Sequence, residues 1–228
     1  LDFIVAAKKQ GLPSITFMDH WVNYRERFGF PNRRWQNNLP DEIWVGDQYA
    51  YKLAKFFFNS KSIKLKKNWY FKEIKDGYRL INNKVKSKAD KILLISEPFN
   101  SAVNYYGDKK NKKTSEFYIM DTLIDKLGPS GRPVVIRLHP SEEQEKYQTI
   151  INKYKSKFDV KISSGKDPIV DLAQAKYVIG MESAFLVLSA LCGKKTFSYI
   201  PGNEYRCPLP FKNIIKIHNL NKLISFIR

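Results

Sequence analysis

A histidine follows one of the most apolar segments of the chain. Residues 133–138 predict a buried β-strand, and His139-Pro140 comes directly after it. Because proline ends the strand and restricts the residue before it, the imidazole is given a defined direction. A histidine there is suited to donate a hydrogen bond to a phosphate oxygen and, when protonated, to neutralise the charge of a leaving group. The alternative is a half-buried histidine that bonds a loop carbonyl.

A second candidate for anion binding begins at Gly180. A glycine at a strand end allows the backbone to turn tightly and approach a ligand closely, and Ser183 is suited to cap the helix that follows. The first N–H groups of a helix and its positive dipole end attract phosphate. Glu182 would oppose that anion unless it turns elsewhere, for instance toward ribose hydroxyls. The alternative is an ordinary serine cap beside a solvated glutamate.

Two adjacent titratable groups, Asp19 and His20, follow a predicted strand near the start of the chain. Either could act as the general base that takes the proton of an acceptor hydroxyl. The residues after them could bind an anionic sugar: Asn23, Tyr24, Arg25 and Arg27. The alternative is that Asp19 caps a helix and the aromatic residues pack in a core.

Regular alternation of short apolar runs and amphipathic helices would position these groups. Strands are predicted at 91–96, 133–138, 159–163, 177–180 and 195–200. The helices between them are predicted to begin at Thr114, Ser141, Asp167 and Ser183, with Glu116 and Glu142 in the first turns of the first two. This order is typical of a doubly wound parallel sheet, whose ligands bind beyond the carboxyl ends of the strands. Three strand ends fall at that edge, namely Ser96-Glu97-Pro98, His139-Pro140 and the turn at Gly180. A loop with Tyr105, Tyr106 and Gly107 is predicted above the cleft, and its alternative is a solvated surface loop.

The chain is therefore predicted to be α/β, with Rossmann-like parallel sheets arranged in two parts. Residues 1–75 are interpreted as a partial N-terminal domain on the acceptor side, because only three short strands are predicted there, at 14–18, 42–46 and 62–65. We expect the opening strands of that domain to lie upstream. Residues 76–90 are predicted to be a linker, with a helix as one possibility for it. Residues 91–217 are predicted to be the nucleotide-sugar-binding domain and 218–228 a terminal helix.

The charge of the chain allows three kinds of partner. The formal net charge is +18, with 40 Lys and Arg against 22 Asp and Glu. An anionic small substrate and peripheral contact with an anionic inner membrane both fit lysines that are scattered through the chain. Only residues 109–113 form a tight basic run, and no helix-turn-helix, zinc-finger or ribonucleoprotein signature occurs, so nucleic acid is not predicted.

The remaining composition points to a reducing, cytoplasmic setting. Cys192 and Cys207 occur in unlike contexts and are expected to be free thiols. The three histidines form no ligand pattern, so no metal site is predicted. No run of about 18 apolar residues predicts a membrane span.

These segments resemble a known group of enzymes. The segment from Arg137 to Glu142 is similar to the His-Pro motif of bacterial sialyltransferases and of Kdo transferases of capsule assembly. The segment 180–184, followed by 190–195, is similar to the Gly-x-Glu-Ser turn of the same GT-B-type enzymes. Ser96-Glu97-Pro98, the Tyr-Gly stretch ending at Gly107 and the pattern at 19–28 are similar to surface-polysaccharide biosynthesis proteins. The Asp/Glu-Asp/Glu-Gly base motif of classical bacterial sialyltransferases is not evident.

The resemblance implies a metal-independent transferase that moves a sugar from a CMP- or UDP-activated donor to a glycan or lipid-linked acceptor. His139 and Ser183 would contact the donor phosphate, and Glu182 would face the ribose. The predicted donor site as a whole is Glu97, Arg137, His139, Pro140, Gly180, Glu182, Ser183 and Ala184. No cofactor beyond the donor is expected. Alternatives are a non-hydrolysing nucleotide-sugar epimerase, a glycerophosphate transferase, or a module that binds the nucleotide sugar without chemistry.

Overall fold

The computed structural model describes residues 1–59, 61–84, 89–98, 115–165, 167–202 and 207–227. The chain divides into two compact units, Leu1–Lys72 and Glu73–Arg228. The expectations for Tyr105, Tyr106, Gly107 and the lysine run at 109–113 lie outside the described residues.

The first unit is built on a three-stranded parallel sheet. Its elements are α1 (Asp2–Lys9), β1 (Ile15–Met18), β2 (Glu42–Val45), α2 (Gln48–Phe57) and β3 (Ser62–Leu65), with short 3-10 helices at Glu26–Phe28 and Trp35–Asn38. The strands pair in the order β1-β2-β3. Tyr24, Phe28 and Phe58 are buried, with the Phe28 and Phe58 rings edge to face at 5.3 Å. This aromatic cluster supplies much of the apolar area that a sheet of three short strands lacks.

The second unit contains a six-stranded parallel sheet. Helix α3 (Trp69–Lys84) begins in the first unit and continues into the second. After it come β4 (Lys91–Ile95), α4 (Glu116–Leu127), β5 (Val134–Arg137), α5 (Gln148–Tyr154), β6 (Val160–Ile162), α6 (Pro168–Gln174), β7 (Ala175–Gly180), α7 (Ala184–Leu191), β8 (Lys195–Tyr199), β9 (Ile214–Ile217) and α8 (Leu220–Ile227).

The strand order of the second sheet is that of a Rossmann fold. The strands lie in the order β6-β5-β4-β7-β8-β9, which is the 3-2-1-4-5-6 arrangement when they are numbered within the unit. Strand β4 is central and almost entirely buried, with Ile92, Leu93 and Leu94 all inaccessible to solvent. A strand that is covered on both faces consists of a continuous run of apolar residues, and this run allowed β4 to be predicted from the sequence. The predicted α/β class with Rossmann-like parallel sheets is confirmed.

The helix starts in both units follow the expected capping chemistry. Asp47 caps α2 by accepting from the N–H groups of Tyr49 and Ala50, and Asp167 caps α6 by accepting from Ile169 ahead of a first-turn proline. Ser183 caps α7, its Oγ accepting from the N–H of Phe185 at 3.3 Å. A side-chain oxygen at each of these positions satisfies an N–H group that the helix itself leaves unpaired.

The structure differs from the expectations at three places. A sixth strand, β9, extends the sheet beyond the five that were predicted. Residues 76–84 of the predicted linker are the second half of α3, and Lys194 lies over the Tyr78 ring at 5.3 Å. Residues 141–147, predicted to open a helix, form turns, and α5 starts only at Gln148.

No helix of the described ranges combines the length and the apolar character required to cross a bilayer.

Candidate active site

The three predicted strand ends of the second unit lie side by side. Strand β4 pairs with β5 on one side and with β7 on the other, and all three strands are parallel. From β4 the chain winds outward to β6 and then returns to β7, so the direction of winding reverses between β4 and β7. Ligands of open α/β sheets bind at such a switch point, outside the carboxyl ends of the strands. Since neighbouring strands are about 5 Å apart, the ends of β5 and β7 flank that of β4 at about 10 Å from each other.

His139 presents one ring nitrogen to its own turn. The imidazole is exposed, and its Nδ1 accepts from the N–H of Ser141 at 3.2 Å and lies 2.7 Å from the Ser141 Oγ. A nitrogen that accepts from a backbone amide carries no proton in the neutral ring, so the proton is on Nε2. The Nε2–H is therefore the group that His139 can offer to an anion.

The backbone of the same turn is held by a glutamate. The Oε2 of Glu142 accepts from the N–H of His139 at 2.9 Å, and the His139 carbonyl accepts from the N–H of Glu142 at the same distance. Pro140 lies between them and is exposed. These reciprocal bonds close a turn around the proline and replace the helix start that was predicted at Ser141.

A carboxylate occupies the anion-attracting turn at the start of α7. The Oε1 of Glu97 accepts from three successive N–H groups, those of Met181 at 3.2 Å, Glu182 at 2.6 Å and Ser183 at 3.2 Å. The expectation that these N–H groups bind a donor phosphate is therefore corrected. Because Glu97 lies at the end of the adjacent strand β4, its carboxyl group already occupies the position that a phosphate oxygen would take at this turn.

Glu97 has an unusual tendency to hold its proton. Burial raises the pKa of Glu97 to about 8, against the lowering effect of the three N–H groups, and the nearby Glu182 carboxylate raises it further. At neutral pH the carboxyl group is consequently protonated in most molecules. The carboxyl ends of β4 and β7 then carry less negative charge than two ionised glutamates, Glu97 and Glu182, would give them.

Ser183 and Ala184 can be reached by a ligand, whereas Gly180 is packed within the protein. Ser183 and Ala184 lie at the start of α7 and are partly exposed. A side chain at Gly180 would meet the Cβ of Ile95 at 3.1 Å and Leu186 at 3.2 Å. Packing against β4 and α7 is thus sufficient to require glycine here, and the predicted approach of a ligand to Gly180 stays a prediction.

Arg137 is engaged by the protein. Its guanidinium donates to Asp171 at 2.7 Å and to the carbonyl of Gly165 at 3.2 Å. Asp171 also accepts from the hydroxyl of Ser163 at 2.5 Å. These bonds hold the segment after β6 against the end of β5, so Arg137 shapes the edge of the site through its neighbours.

Asp19 and His20 belong to the first unit, after β1. Asp19 is 72% exposed and pairs with Arg27 at 2.8 Å. The Nδ1 of His20 accepts from the N–H of Trp21 at 3.0 Å, and burial, helped by Arg27, lowers the pKa of His20 against the opposing effect of Asp19. A neutral His20 therefore uses its one lone pair in that bond and carries its proton on Nε2, so this arrangement favours Asp19 as a base.

The hydroxyl of Tyr24 lies deep in the first unit. Its oxygen is buried and has no hydrogen-bond partner within the described ranges, and burial raises the pKa of Tyr24. The role of Tyr24 is to pack against Phe58, as the core alternative expected.

Sequence reasoning missed the residues that support the site. Glu142 was interpreted as part of an ordinary helix start and Glu116 as a first-turn residue of α4, and Lys146 was not singled out. Glutamate three residues after a histidine, with lysine four residues further on, was the available signal. It was ambiguous because Ser141-Glu142-Glu143 is equally typical of a helix N-terminus.

Comparison with known proteins identifies a family and similar solved structures. A family model described as alpha-2,8-polysialyltransferase (POLYST) matches residues 20–200. The solved structure of UDP-GlcNAc 2-epimerase from Methanocaldococcus jannaschii is similar with a TM-score of 0.57 at 14% identity, over 97% of this chain and 64% of that one. The chain thus spans under two thirds of that structure's length, and the likeness shows the fold. No curated protein sequence matches.

The family match covers the described strand ends at 95–98, 137–142 and 180–184 and begins at His20, so Asp19 lies one residue before the matched range. The predicted resemblance to sialyltransferases is confirmed at the level of the family, whereas the assignment of the His-Pro motif and the resemblance to Kdo transferases stay predictions. The family transfers sugar from a nucleotide-activated donor to a glycan. The chain belongs to the alpha-2,8-polysialyltransferase family of glycosyltransferases.

Proposed function

We propose that this protein transfers sialic acid from a CMP-activated donor to the end of a surface glycan, and that His139 binds the donor phosphate. The observation that carries the proposal is the orientation of His139 at the switch point of the second sheet. Its Nδ1 is held by Ser141, so the Nε2–H is the nitrogen left to face a ligand.

Stabilising the departing phosphate is the main task of the second unit in this account. The bond between the anomeric carbon and the phosphate oxygen breaks while the acceptor oxygen bonds to that carbon, and CMP leaves with the bonding electrons. A hydrogen bond from the His139 Nε2–H, strengthened if the ring is protonated, offsets the charge that develops. The hydroxyl of Ser183 can donate to the same phosphate, because its oxygen accepts from Phe185. These groups supply charge stabilisation without a metal ion.

The acceptor hydroxyl must lose a proton in the same reaction. Asp19 is proposed as the base, because its carboxylate is exposed while the lone pair of His20 is in use. Arg27 beside it, 38% exposed, adds positive charge suited to an anionic glycan. Replacement Asp19→Asn should reduce transfer far more than the binding of CMP. Equal losses of both would contradict the role as base.

Isothermal titration of the whole chain with CMP, UDP and GDP tests the donor. We expect CMP to bind and the other two nucleotides to bind more weakly, since the sialyl donor is a monophosphate. A folded protein that binds none of the three would overturn the proposal. Tighter binding of UDP than of CMP would show that the donor is a UDP-sugar and not CMP-sialic acid. Product analysis with CMP-sialic acid and an oligosialic acceptor then tests transfer.

The cytoplasmic location, the absence of a nucleic-acid partner and peripheral contact with an anionic membrane remain parts of the proposal. The net charge of +18 supports the last of these. Sedimentation with vesicles of anionic and of neutral lipid would test it.

A further inference from the structure

A chain of three charged residues lies behind the His139 turn. Lys146 donates to Glu142 at 2.5 Å and to Glu116 at 3.0 Å. Their side chains are only 12%, 4% and 6% exposed, respectively. Charged side chains are rarely buried to this extent, and their desolvation costs several kcal/mol per ion unless each one is paired. The donor site as proposed makes no direct use of any of the three.

The cluster is connected to His139 through Glu142. One carboxylate oxygen of Glu142 accepts from the backbone N–H of His139, and the other accepts from Lys146. At the opposite end, Glu116 is the first residue of α4. The three residues therefore join the His139 turn to the start of α4, a helix that packs against α5 and α8.

The surroundings favour the charged forms of Glu142 and Lys146. Burial pushes the pKa of Glu142 upward, but hydrogen bonds from Lys146, Ser96 and the His139 N–H outweigh it, and the pKa is lowered overall. For Lys146 burial works downward, and its bonds to both glutamates raise the pKa overall. The ammonium group also lies 5.3 Å from the ring of Phe117 and 5.2 Å from that of Tyr147, at distances where cation–π attraction operates.

Tyr147 connects this cluster to the central strand. It is fully buried, and its hydroxyl lies 2.8 Å from the Ser96 Oγ at the end of β4. The His139 turn is thus held from two sides, by α4 and by the strand that carries Glu97. Such convergence is expected where one orientation of a side chain has to be selected among many.

We propose that Glu142, Lys146 and Glu116 form a positioning cluster that sets the direction of the His139 imidazole. The proposal rests on the proposed donor role of His139. Glu142 fixes the backbone of the turn, Ser141 fixes the ring, and Lys146 with Glu116 prevents Glu142 from turning away. The three are positioning residues, since they act on the donor through His139.

Isosteric variants test the cluster. In Glu142→Gln and Lys146→Met, we expect the Kd of CMP to rise about tenfold, as for loss of a charge-assisted hydrogen bond. Glu116→Gln, at the far end, should raise it about threefold and remains available if either of the others fails to fold. The matched controls are Asp121→Asn and Lys153→Met. That pair also starts from α4, which it joins to α5 at 2.8 Å, but it is much more exposed, at 35% for Asp121 and 56% for Lys153. Both controls should leave the Kd unchanged.

A second readout does not depend on nucleotide. Nitrogen-15 spectra of the histidine rings report which nitrogen of His139 carries the proton. In the wild-type protein and both controls the Nε2–H form should dominate, and in Glu142→Gln and Lys146→Met the resonances should move toward a mixture. Folded variants with unchanged His139 resonances would overturn the positioning role. If wild-type protein binds no CMP while the spectra respond as expected, the donor assignment fails and the positioning role stands.

Discussion

The two sides of β4 handle the same problem of anion binding in opposite ways. On the β5 side, His139 has Nδ1 satisfied by Ser141 and leaves its Nε2–H for a ligand. On the β7 side, the three N–H groups at the start of α7 already bind the carboxyl group of Glu97. A helix N-terminus at a switch point is therefore not by itself a phosphate site. Whether it is available depends on what the neighbouring strand places there.

The difference has an electrostatic consequence. With its pKa raised to about 8 by burial, Glu97 neutralises its turn by accepting a proton at neutral pH. The β7 side then neither attracts a phosphate with open N–H groups nor repels it with a full charge. In this account the strongest attraction for the donor comes from the β5 side.

Of all the substitutions, removal of His139 should weaken the binding of CMP most. His139→Ala is expected to raise the Kd of CMP about fiftyfold, because a hydrogen bond to a charged phosphate is lost. Titration calorimetry measures this change. The matched control is His218→Ala. His218 follows β9, and its Nδ1 lies 2.8 Å from the carbonyl oxygen of Ile200, which follows β8. An unaltered affinity in His139→Ala would show that the donor does not use the β5 side.

Gly180→Ala should lower the stability of the protein without changing its affinity for CMP. The added methyl group would lie 3.1 Å from Ile95 and 3.2 Å from Leu186, in a fully buried position. Overpacking of this kind costs about 2 kcal/mol, which corresponds to a melting temperature lower by about 4–8 °C in a domain of this size. The Kd of CMP for the folded variant should stay within twofold of wild type. A loss of affinity without loss of stability would support the predicted ligand role of Gly180.

Raising the pH should expose the charge on the β7 side. As pH rises through about 8, Glu97 loses its proton, and its carboxylate opposes the phosphate at short range. We expect the Kd of CMP to rise about fivefold between pH 7 and pH 9.5, whereas the profile of Glu97→Gln should stay flat over the same range. Titrations of both proteins across this range test the point, and identical profiles would contradict it.

The same group predicts how stability depends on pH. A carboxyl group whose folded pKa is raised holds a proton that the unfolded chain has released, so its contribution is fully present below about pH 4.5 and is lost as pH rises through about 8. Urea unfolding at several pH values should show the wild-type free energy of unfolding falling over this window relative to Glu97→Gln. A constant difference between the two proteins would argue against the raised pKa.

Ser183→Ala is expected to give the smallest effect. Loss of the cap on Phe185 costs about 1 kcal/mol of stability, and loss of a hydroxyl donor to phosphate should raise the Kd of CMP about threefold. Thermal melts and calorimetry separate the two. A Kd change as large as that of His139→Ala would show that both sides of β4 share the donor equally.

The parts of the fold that the sequence predicted are those with local causes. The apolar run at β4 and the caps at Asp167 and Ser183 depend on residues that are neighbours in the chain, so their patterns were readable. Strand β9 was missed because its four residues, Ile214–Ile217, form too short a run to distinguish from a loop. The helical continuation through 76–84 was treated as a linker because its polar composition gave no strong period.

The parts of the site that could not be predicted depend on tertiary contacts. Glu97 meets the N–H of Met181, 84 residues further along the chain, because β4 and β7 are neighbouring parallel strands. At Ser141 the local pattern favoured a helix cap, but Glu142 turns back to His139 because Lys146 and Glu116 hold it there. Local propensity was overridden by a buried ion pair whose members lie 30 residues apart.

The most direct test of the account is to observe the three histidines while CMP binds. His20, His139 and His218 are the only histidines in the chain, so each ring can be followed separately in nitrogen-15 spectra. We predict that saturating CMP shifts the Nε2 resonance of His139 and leaves the rings of His20 and His218 in place. Saturation with CMP while His139 remains unchanged would contradict the assignment of the donor phosphate to this residue.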